Sequence, residues 1–307
     1  MRVILVILFF LCCLTKVFAD QLIIEPEMGR APIVNAMSQA QHSVKLVMYG
    51  FTDDQLLNAL LSAQAKQKSV QVILEQNPYR SSGENARAIQ AFNQHGLSWE
   101  GAATNFKLVH QKTLIIDDTH AIVMTFNFTR STFNRERNFA LVIDAPKTVK
   151  AIERVFSADW NHLPITTDAM PELIYSPDHS RKKFIRLIRE CKRSIRIYAQ
   201  DINDYQVIGA LAKAARKGIE VTILTSGNIH GKKAGYLSRA GVKLSQSSDL
   251  YIHAKVILLD DNKAIIGSTN LTAPSFDENR ELSIVTTDMT VIKQLQKTFK
   301  QDLRNSK

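Results

Sequence analysis

The sequence predicts a duplicated α/β protein: two β-sheets flanked by helices, related by a pseudo-twofold axis, with one shared active site between them. Three observations carry this. A phrase occurs twice in the same register: His110-Gln111-Lys112, Asp117, Asn127 and Thr129 return as His253-Ala254-Lys255, Asp260, Asn270 and Thr272, each displaced by one constant interval. Apolar runs alternate with helix-like segments in the same order in both halves, the pattern of a sheet covered by helices. The chain has 307 residues, 45% hydrophobic and 22% charged, which is ordinary for a soluble protein with room for two cores.

Each element follows in order. In the first half, residues 44–49 read as a strand, 53–66 as a helix, 70–74 as a strand and 86–95 as a helix. In the second half, 194–199, 204–217, 219–224 and 232–240 repeat that series. Each half continues with an apolar strand carrying His-x-Lys, a turn at Asp117-Asp118 or Asp260-Asp261-Asn262, and a strand ending near the Asn. Strands at 139–143 and 282–286 lead to closing helices at 146–159 and 289–303. Residues 163–176, with Pro164, Pro171 and nearby Pro177, read as the linker. The resulting division is 20–163 and 164–307, a monomer with an internal pseudo-dimer.

Residues 1–19 read as a secretory signal peptide. Arg2 gives the positive start, 3–14 is an apolar run, and Ala19 is the small residue before cleavage at Asp20. The run is short of the ~20 residues a bilayer span needs, which disfavours an uncleaved anchor. Bulky Leu11 before Cys12 disfavours a lipid-modified Cys12 or Cys13. The expectation is therefore export to the periplasm or the medium. Removal of residues 1–19 leaves 37 basic and 29 acidic residues, a net +8, and one cysteine, Cys191, which excludes an intramolecular disulfide. Cys191 reads as a core residue.

Charge is unevenly shared. Residues 20–165 hold 14 basic and 14 acidic residues, and the remainder holds 23 and 15. Much of the excess lies in 181–189, where Phe184, Leu187 and Ile188 recur at helical spacing. This stretch is either a helix with a basic solvated face or a patch for anionic lipid or nucleic acid.

The repeated phrase carries chemistry. Residues two apart in a strand share a face, so each His and Lys can enter one site, while Asp117 and Asp260 fall on the other parity and support the turns. A neutral imidazole can attack phosphorus, and a protonated one can donate to the leaving oxygen and later activate water. Lys112, Lys255, Asn127 and Asn270 can hold the non-bridging oxygens as charge develops. No metal-ligand spacing is present, and no cofactor is expected. His120, His162, His179 and His230 have no repeated counterpart and read as solvent-facing. Asn127 and Asn270 head glycosylation sequons, but the repeat already accounts for both.

His-x-Lys-x4-Asp followed by Gly-Ser-x-Asn resembles the phospholipase D superfamily. The second copy matches in full through His253, Lys255, Asp260 and Gly267-Ser268-Thr269-Asn270, while Met124-Thr125-Phe126-Asn127 departs in the first. The resemblance implies a metal-independent phosphodiesterase, with His110 as nucleophile and His253 as general acid and base. It implies that Lys112, Lys255, Asn127 and Asn270 hold phosphate, assisted by Ser268 and Thr125. The family's downstream Glu, which supports a histidine, falls at Glu281. Its first-half counterpart is Asn138. A Glu281 that stabilises a protonated histidine suits an acid at His253, and a surface ion pair with Arg280 is its other reading. Substrate readings are phospholipid head groups first, as a phospholipase D, and then DNA or RNA, as an endonuclease. A lipid synthase and a non-catalytic phosphate- or nucleic-acid-binding module follow. Contact with an anionic membrane surface is a further expectation.

Overall fold

The computed structural model describes residues 20–79, 83–101, 103, 105–167, 170–227, 229 and 231–307. The signal-peptide reading of residues 1–19 and the reading of His230 lie outside the described residues.

The first half contributes β1 (Gln21–Glu25), α1 (Ala31–Gln39), β2 (Ser43–Met48), α2 (Asp54–Ala65), β3 (Ser69–Leu74), α3 (Ala86–His95), β4 (Ser98–Gly101), β5 (Thr113–Ile116), β6 (His120–Met124), β7 (Glu136–Ile143) and α4 (Pro146–Trp160). The second contributes β8 (Leu173–Ser176), α5 (Ser180–Glu190), β9 (Ser194–Ala199), α6 (Tyr205–Arg216), β10 (Glu220–Thr225), α7 (Gly231–Arg239), β11 (Lys243–Gln246), β12 (Tyr251–Ile252), β13 (Lys255–Leu259), β14 (Lys263–Gly267), α8 (Ala273–Asp277), β15 (Glu281–Thr286) and α9 (Met289–Arg304). The first sheet runs β1-β7-β6-β5-β2-β3-β4, and the second runs β8-β15-β14-β13-β9-β10-β11 in the corresponding order.

Local chemistry repeats with the topology. Asp53 caps α2 by accepting the amides of Gln55 and Leu56, and Asp204 caps α6 through Gln206 and Val207. Such caps satisfy amides that the first helical turn leaves unpaired. Parallel β2 and β3 are covered on both faces and are correspondingly rich in Val, Leu and Ile.

Three cores result. Helices α1 to α3 bury Ile33, Leu56, Leu60 and Phe92 against the outer face of the first sheet. Helices α5 and α6 bury Phe184, Ile188, Val207 and Leu211 against that of the second. Between the sheets lies a common core that includes Phe139, Leu141, Tyr198, Leu282 and Ile284, together with Ile152 of α4 and Leu295 and Phe299 of α9. Each such side chain contributes about 1.5–3 kcal/mol when fully buried, so the largest apolar seam in this arrangement joins the halves.

One expectation changes. Residues 173–176 are not linker. They form β8, which is buried and pairs antiparallel with β15. The flanking prolines mark the ends of a short edge strand, where a missing N–H costs no ladder bond. The basic stretch at 181–189 lies on α5, with Arg181 paired to Asp204 and Asp277. Lys192 and Arg193, which follow it, precede β9, whose far end at Ala199 pairs with Lys255. At about 3.3 Å per residue, those two cations stand roughly 20 Å from the second Lys of the repeated phrase.

Candidate active site

The chain crosses between the halves where the repeated phrase lies. Val109 bridges Arg280 in parallel, and the His110 amide donates to the Arg280 carbonyl at 2.9 Å. Reciprocally, β12 pairs with β7, and the amides of His253 and Ala254 reach the Arg137 carbonyl at 3.3 and 3.0 Å. His110, Lys112 and His253 therefore do not sit within the strands, as their apolar neighbours suggested, and Lys255 is only the first residue of β13. The amides of His110, His253 and Ala254 are spent on the opposite half, the carbonyls of Lys112 and Ala254 accept from Met124 and Gln200 of their own half, and β5 and β13 open only at Thr113 and Lys255.

The histidines and lysines converge. Lys112 Nζ donates to the His110 carbonyl and lies 5.0 Å from the Tyr49 ring, whose edge meets the His110 ring at 4.8 Å between centroids. Lys255 Nζ donates to the carbonyls of His253 at 2.6 Å and Thr125 at 3.2 Å. Burial pushes the His110 imidazole down to about 4, with Lys112 and Lys255 adding to the effect and Glu281 opposing it. Burial, then Lys255 and Lys112, hold His253 well below its usual range. Burial also pushes Lys255 down to about 7 and Lys112 well below the ordinary amine value. Both imidazoles are thus neutral near pH 7, the form in which a ring nitrogen can attack.

Glu281 is fully buried and contacts His110, with Nδ1 to Oε1 and Oε2 distances of 3.0 and 2.9 Å. This corrects both sequence readings: the acid serves neither His253 nor a surface pair with Arg280. The cause is the crossing, which brings the start of β15 against the segment carrying His110. Burial raises the Glu281 carboxyl, but His110 and Lys112 outweigh it and hold the group ionised. On the other side, Asn138 Oδ1 meets His253 Nδ1 at 3.0 Å.

Asn127 and Asn270 follow β6 and β14, and in each the buried Oδ1 has no hydrogen-bond partner among the described residues. The hydroxyls of Thr125 and Ser268 lie behind the site. Thr125 Oγ1 accepts the Phe139 amide at 3.0 Å and donates to Asn138 Oδ1 at 2.8 Å. Ser268 Oγ accepts the Leu282 amide at 3.1 Å and hydrogen-bonds Glu281. Each braces the group that touches a histidine.

Asp117 and Asp260 lie outside the site, as parity required. Their carboxylates accept the amides of Gln41, His42 and Ser43, and of Lys192, Arg193 and Ser194, fixing the entries to β2 and β9. Met124 does not crowd the turn. Its side chain enters the first outer core beside Ala140, whereas Gly267 pairs with Ser283, where an added Cβ would strike the Leu282 carbonyl. Cys191 is buried, and His120, His162 and His179 are exposed.

Two residue pairs went unread in the sequence. Arg137 Nε donates to Asp302 at 2.8 Å, and Arg280 Nε donates to Asp159 at 2.8 Å. Each Arg reaches the closing helix of the opposite half. Arg137 and Arg280, like Asp159 and Asp302, are displaced by the interval that separates His110 from His253, so the signal lay in the register of the motifs. Among the described residues, no three His, Cys, Asp or Glu side chains are grouped to hold a metal ion, and no helix is long and apolar enough to cross a membrane.

Two histidines and two lysines at the seam of an internally duplicated α/β protein define an enzyme acting on a phosphodiester. A family profile described as "Cardiolipin synthase, PLD-like domain" matches residues 33–160 and 184–303, and the chain belongs to that family, within the phospholipase D superfamily. Cardiolipin synthase B of Salmonella typhimurium (strain LT2) is 23% identical over 322 residues, spanning 89% of this chain and 76% of that protein. The major cardiolipin synthase ClsA of Bacillus subtilis (strain 168) is 25% identical over 318 residues, spanning 88% and 66%. Phosphatidylserine synthase from Haemophilus influenzae Rd KW20 has the same fold, with a TM-score of 0.73 over 94% of this chain and 87% of that one at 11% identity. Polyphosphate kinase from Porphyromonas gingivalis matches at 0.76 and 18% identity over 93% of this chain, which spans 47% of the kinase.

Proposed function

We propose that the protein transfers the phosphatidyl group of a phospholipid to an acceptor hydroxyl, with water as acceptor in the phospholipase D reaction and a lipid or polyol alcohol in the synthase reaction. The observation that carries the lipid reading is the family match, which includes both half-sites and bears a lipid-transfer description. The chemistry rests on the crossed histidine contacts. Because Nδ1 of each ring faces Glu281 or Asn138, Nε2 is the reacting nitrogen in both.

His110 Nε2 attacks phosphorus while the P–O bond to the head group breaks, and His253, which takes up a second proton on Nε2 as the phosphodiester anion binds beside it, gives that oxygen the Nε2 proton. The acceptor hydroxyl then loses its proton to His253 and attacks phosphorus as the P–N bond breaks. The Glu281 carboxylate stabilises the cationic phosphoimidazole that retains a proton on Nδ1, which suits His110 as nucleophile. Protonated Lys112 and Lys255, with the amides of Asn127 and Asn270, hold the non-bridging oxygens. Lys192 and Arg193, before the start of β9, are not part of this reading.

Export is a second proposal, supported by the apolar run at 3–14 and by Ala19. Cleavage there keeps Asp20, whose carboxylate accepts the Thr286 hydroxyl at 2.9 Å. N-terminal sequencing of protein recovered outside the cytoplasm should begin at Asp20. Recovery only of chains starting at Met1 would overturn it.

The functional test incubates purified protein with phosphatidylglycerol and phosphatidylcholine vesicles, with and without added glycerol, beside plasmid DNA, each with and without excess EDTA. Head-group release or exchange in EDTA is expected. DNA cleavage with inert lipid would overturn the lipid reading and leave the histidine chemistry standing. Activity that disappears in EDTA and returns with one divalent ion would overturn the assignment of lysines as the phosphate-stabilising charge.

A further inference from the structure

The two half-sites carry the same positions with exchanged side chains. Glu136-Arg137-Asn138 lies at the start of β7, and Asn279-Arg280-Glu281 is its counterpart in the register of the repeat. The arginine is common, while acid and amide trade places around it. In the second half the acid touches the histidine of the other half directly. In the first half the amide does so, and the acid stands behind it. Asn138 Nδ2 donates to Glu136 Oε2 at 3.0 Å, and that oxygen lies 3.7 Å from His253 Nδ1.

The hydrogen bonds behind His253 can be satisfied in one direction. The Phe139 amide donates to Thr125 Oγ1, so that hydroxyl is free to donate onward to Asn138 Oδ1. Glu136 can only accept, so it takes the Nδ2 end of the Asn138 amide. The end left facing His253 is an acceptor, and the imidazole must present Nδ1–H to it. Without Glu136, the Asn138 amide is oriented only by the Thr125 hydroxyl, which can accept as well as donate, and the amide can turn its donor end toward the ring. Asn279, at the exchanged position, has no such role: its Oδ1 is buried without a partner among the described residues.

We infer that Glu136 is a positioning residue for His253, acting through Asn138 to keep the proton on Nδ1 and leave Nε2 to give and take the reacting proton. The catalytic half of this statement rests on the proposed function, but the positioning half does not. The groups facing His253 are Lys255 from β13, Asn138 and Glu136 from β7, the Thr125 carbonyl after β6, and His110 and Lys112 on the segment of the opposite half. Removal of the Glu136 charge therefore acts on Lys255 as well as on the ring, and a readout on His253 itself is required.

The experiment is nitrogen-15 histidine NMR on the full protein, with the His253 signals assigned by their loss in His253→Asn, alongside kcat and KM. The wild type should show the Nδ1–H tautomer at His253. Glu136→Ala should populate both tautomers and lower kcat roughly ten- to hundredfold, part of what a general acid–base group supplies, with KM within about twofold. Glu136→Gln offers an amide oxygen to Asn138 Nδ2 and should restore the single tautomer. A Glu136→Ala protein that keeps the Nδ1–H tautomer, or loses only thermal stability or KM, overturns the inference. If the wild type turns over no phosphodiester, the functional reading fails, and the tautomer comparison still decides the role of Glu136.

Discussion

Around His110, the opposite half supplies a carboxylate in contact with the ring. Around His253, it supplies an amide, with a carboxylate one residue pair further away. The backbones delivering these groups are equivalent, down to the hydroxyl of Ser268 or Thr125 that receives the next amide. The difference teaches that a duplicated fold sets where a side chain arrives, and one exchange sets the proton affinity it confers. The halves differ in extent too. From the start of β2 at Ser43 to His110 the chain is longer than from the start of β9 at Ser194 to His253. Part of that surplus lies before α3, beyond Glu75, whose carboxylate accepts the amide of Val109 at 2.8 Å. The second half does the same work at Ile252 with the hydroxyl of Ser226.

The largest expected effect breaks the comparison if it is absent. His110→Ala and His253→Ala should each lower turnover by several orders of magnitude, since members of one catalytic unit fail singly. The halves separate in how they fail. Acid-labile label from a substrate with a good leaving group should accumulate on His110 in His253→Asn, read by peptide mapping. Label on His253 in the reciprocal variant would reverse the roles.

Next in size is the contrast between the two supporting groups. Glu281→Gln should lower kcat about 10²-fold or more, by analogy with loss of the carboxylate behind a catalytic histidine. Asn138→Asp should change kcat less than about tenfold, because it supplies to His253 a carboxylate of the kind His110 already has. A larger loss at Asn138 than at Glu281 would show that the carboxylate contact does not mark the nucleophile.

The pH profile sharpens the same contrast. His110 is held down to about 4, so it becomes neutral, and able to attack, as pH rises through that value. Lys255 is held down to about 7, so its charge is present below that pH and lost above it. The kcat/KM profile should rise near pH 4, decline as His253 loses the proton it gives, and end in a steeper falling limb near pH 7 where Lys255 loses its charge. In Lys255→Arg the falling limb should move to higher pH or vanish, because a guanidinium keeps its charge.

The smallest effect concerns stability. Glu25 pairs with Asn138 across β1 and β7 as Ser176 pairs with Glu281 across β8 and β15. Burial pushes the Glu25 carboxyl up to about 8. The native state therefore keeps a proton that the unfolded chain releases above about 4.5, and stability falls as pH rises between those values. Glu25→Gln should raise the melting temperature at pH 8 and lose that advantage at pH 4. An equal shift at both pH values would place the effect in packing.

Much of this was legible in the chain. The constant interval located both histidines, both lysines and the asparagines, and alternating patterns placed the central strands and helices within a residue or two. What stayed hidden depended on which half meets which. Repetition announces that Glu281 and Asn138 are equivalent, but it is silent on the crossing that sends each to the other half's histidine. Strand β8 was masked because so short a run between prolines carries too little pattern to show a sheet edge. The Arg137–Asp302 and Arg280–Asp159 pairs were visible as an interval, yet an arginine and a helix-end aspartate look like solvated charge until each closing helix is seen against the arginine of the opposite half.

The crossed contacts bear on how such a site can change. Were the halves two copies of one chain about an exact twofold, every substitution would be made twice. The neighbour of one histidine could never become an amide while the other stayed an acid. Joining the halves through residues 164–172 removes that constraint, so a mutation here breaks symmetry at a single point. Each half then acts as the other's independently adjustable environment, and the substrate meets a site with two distinguishable ends.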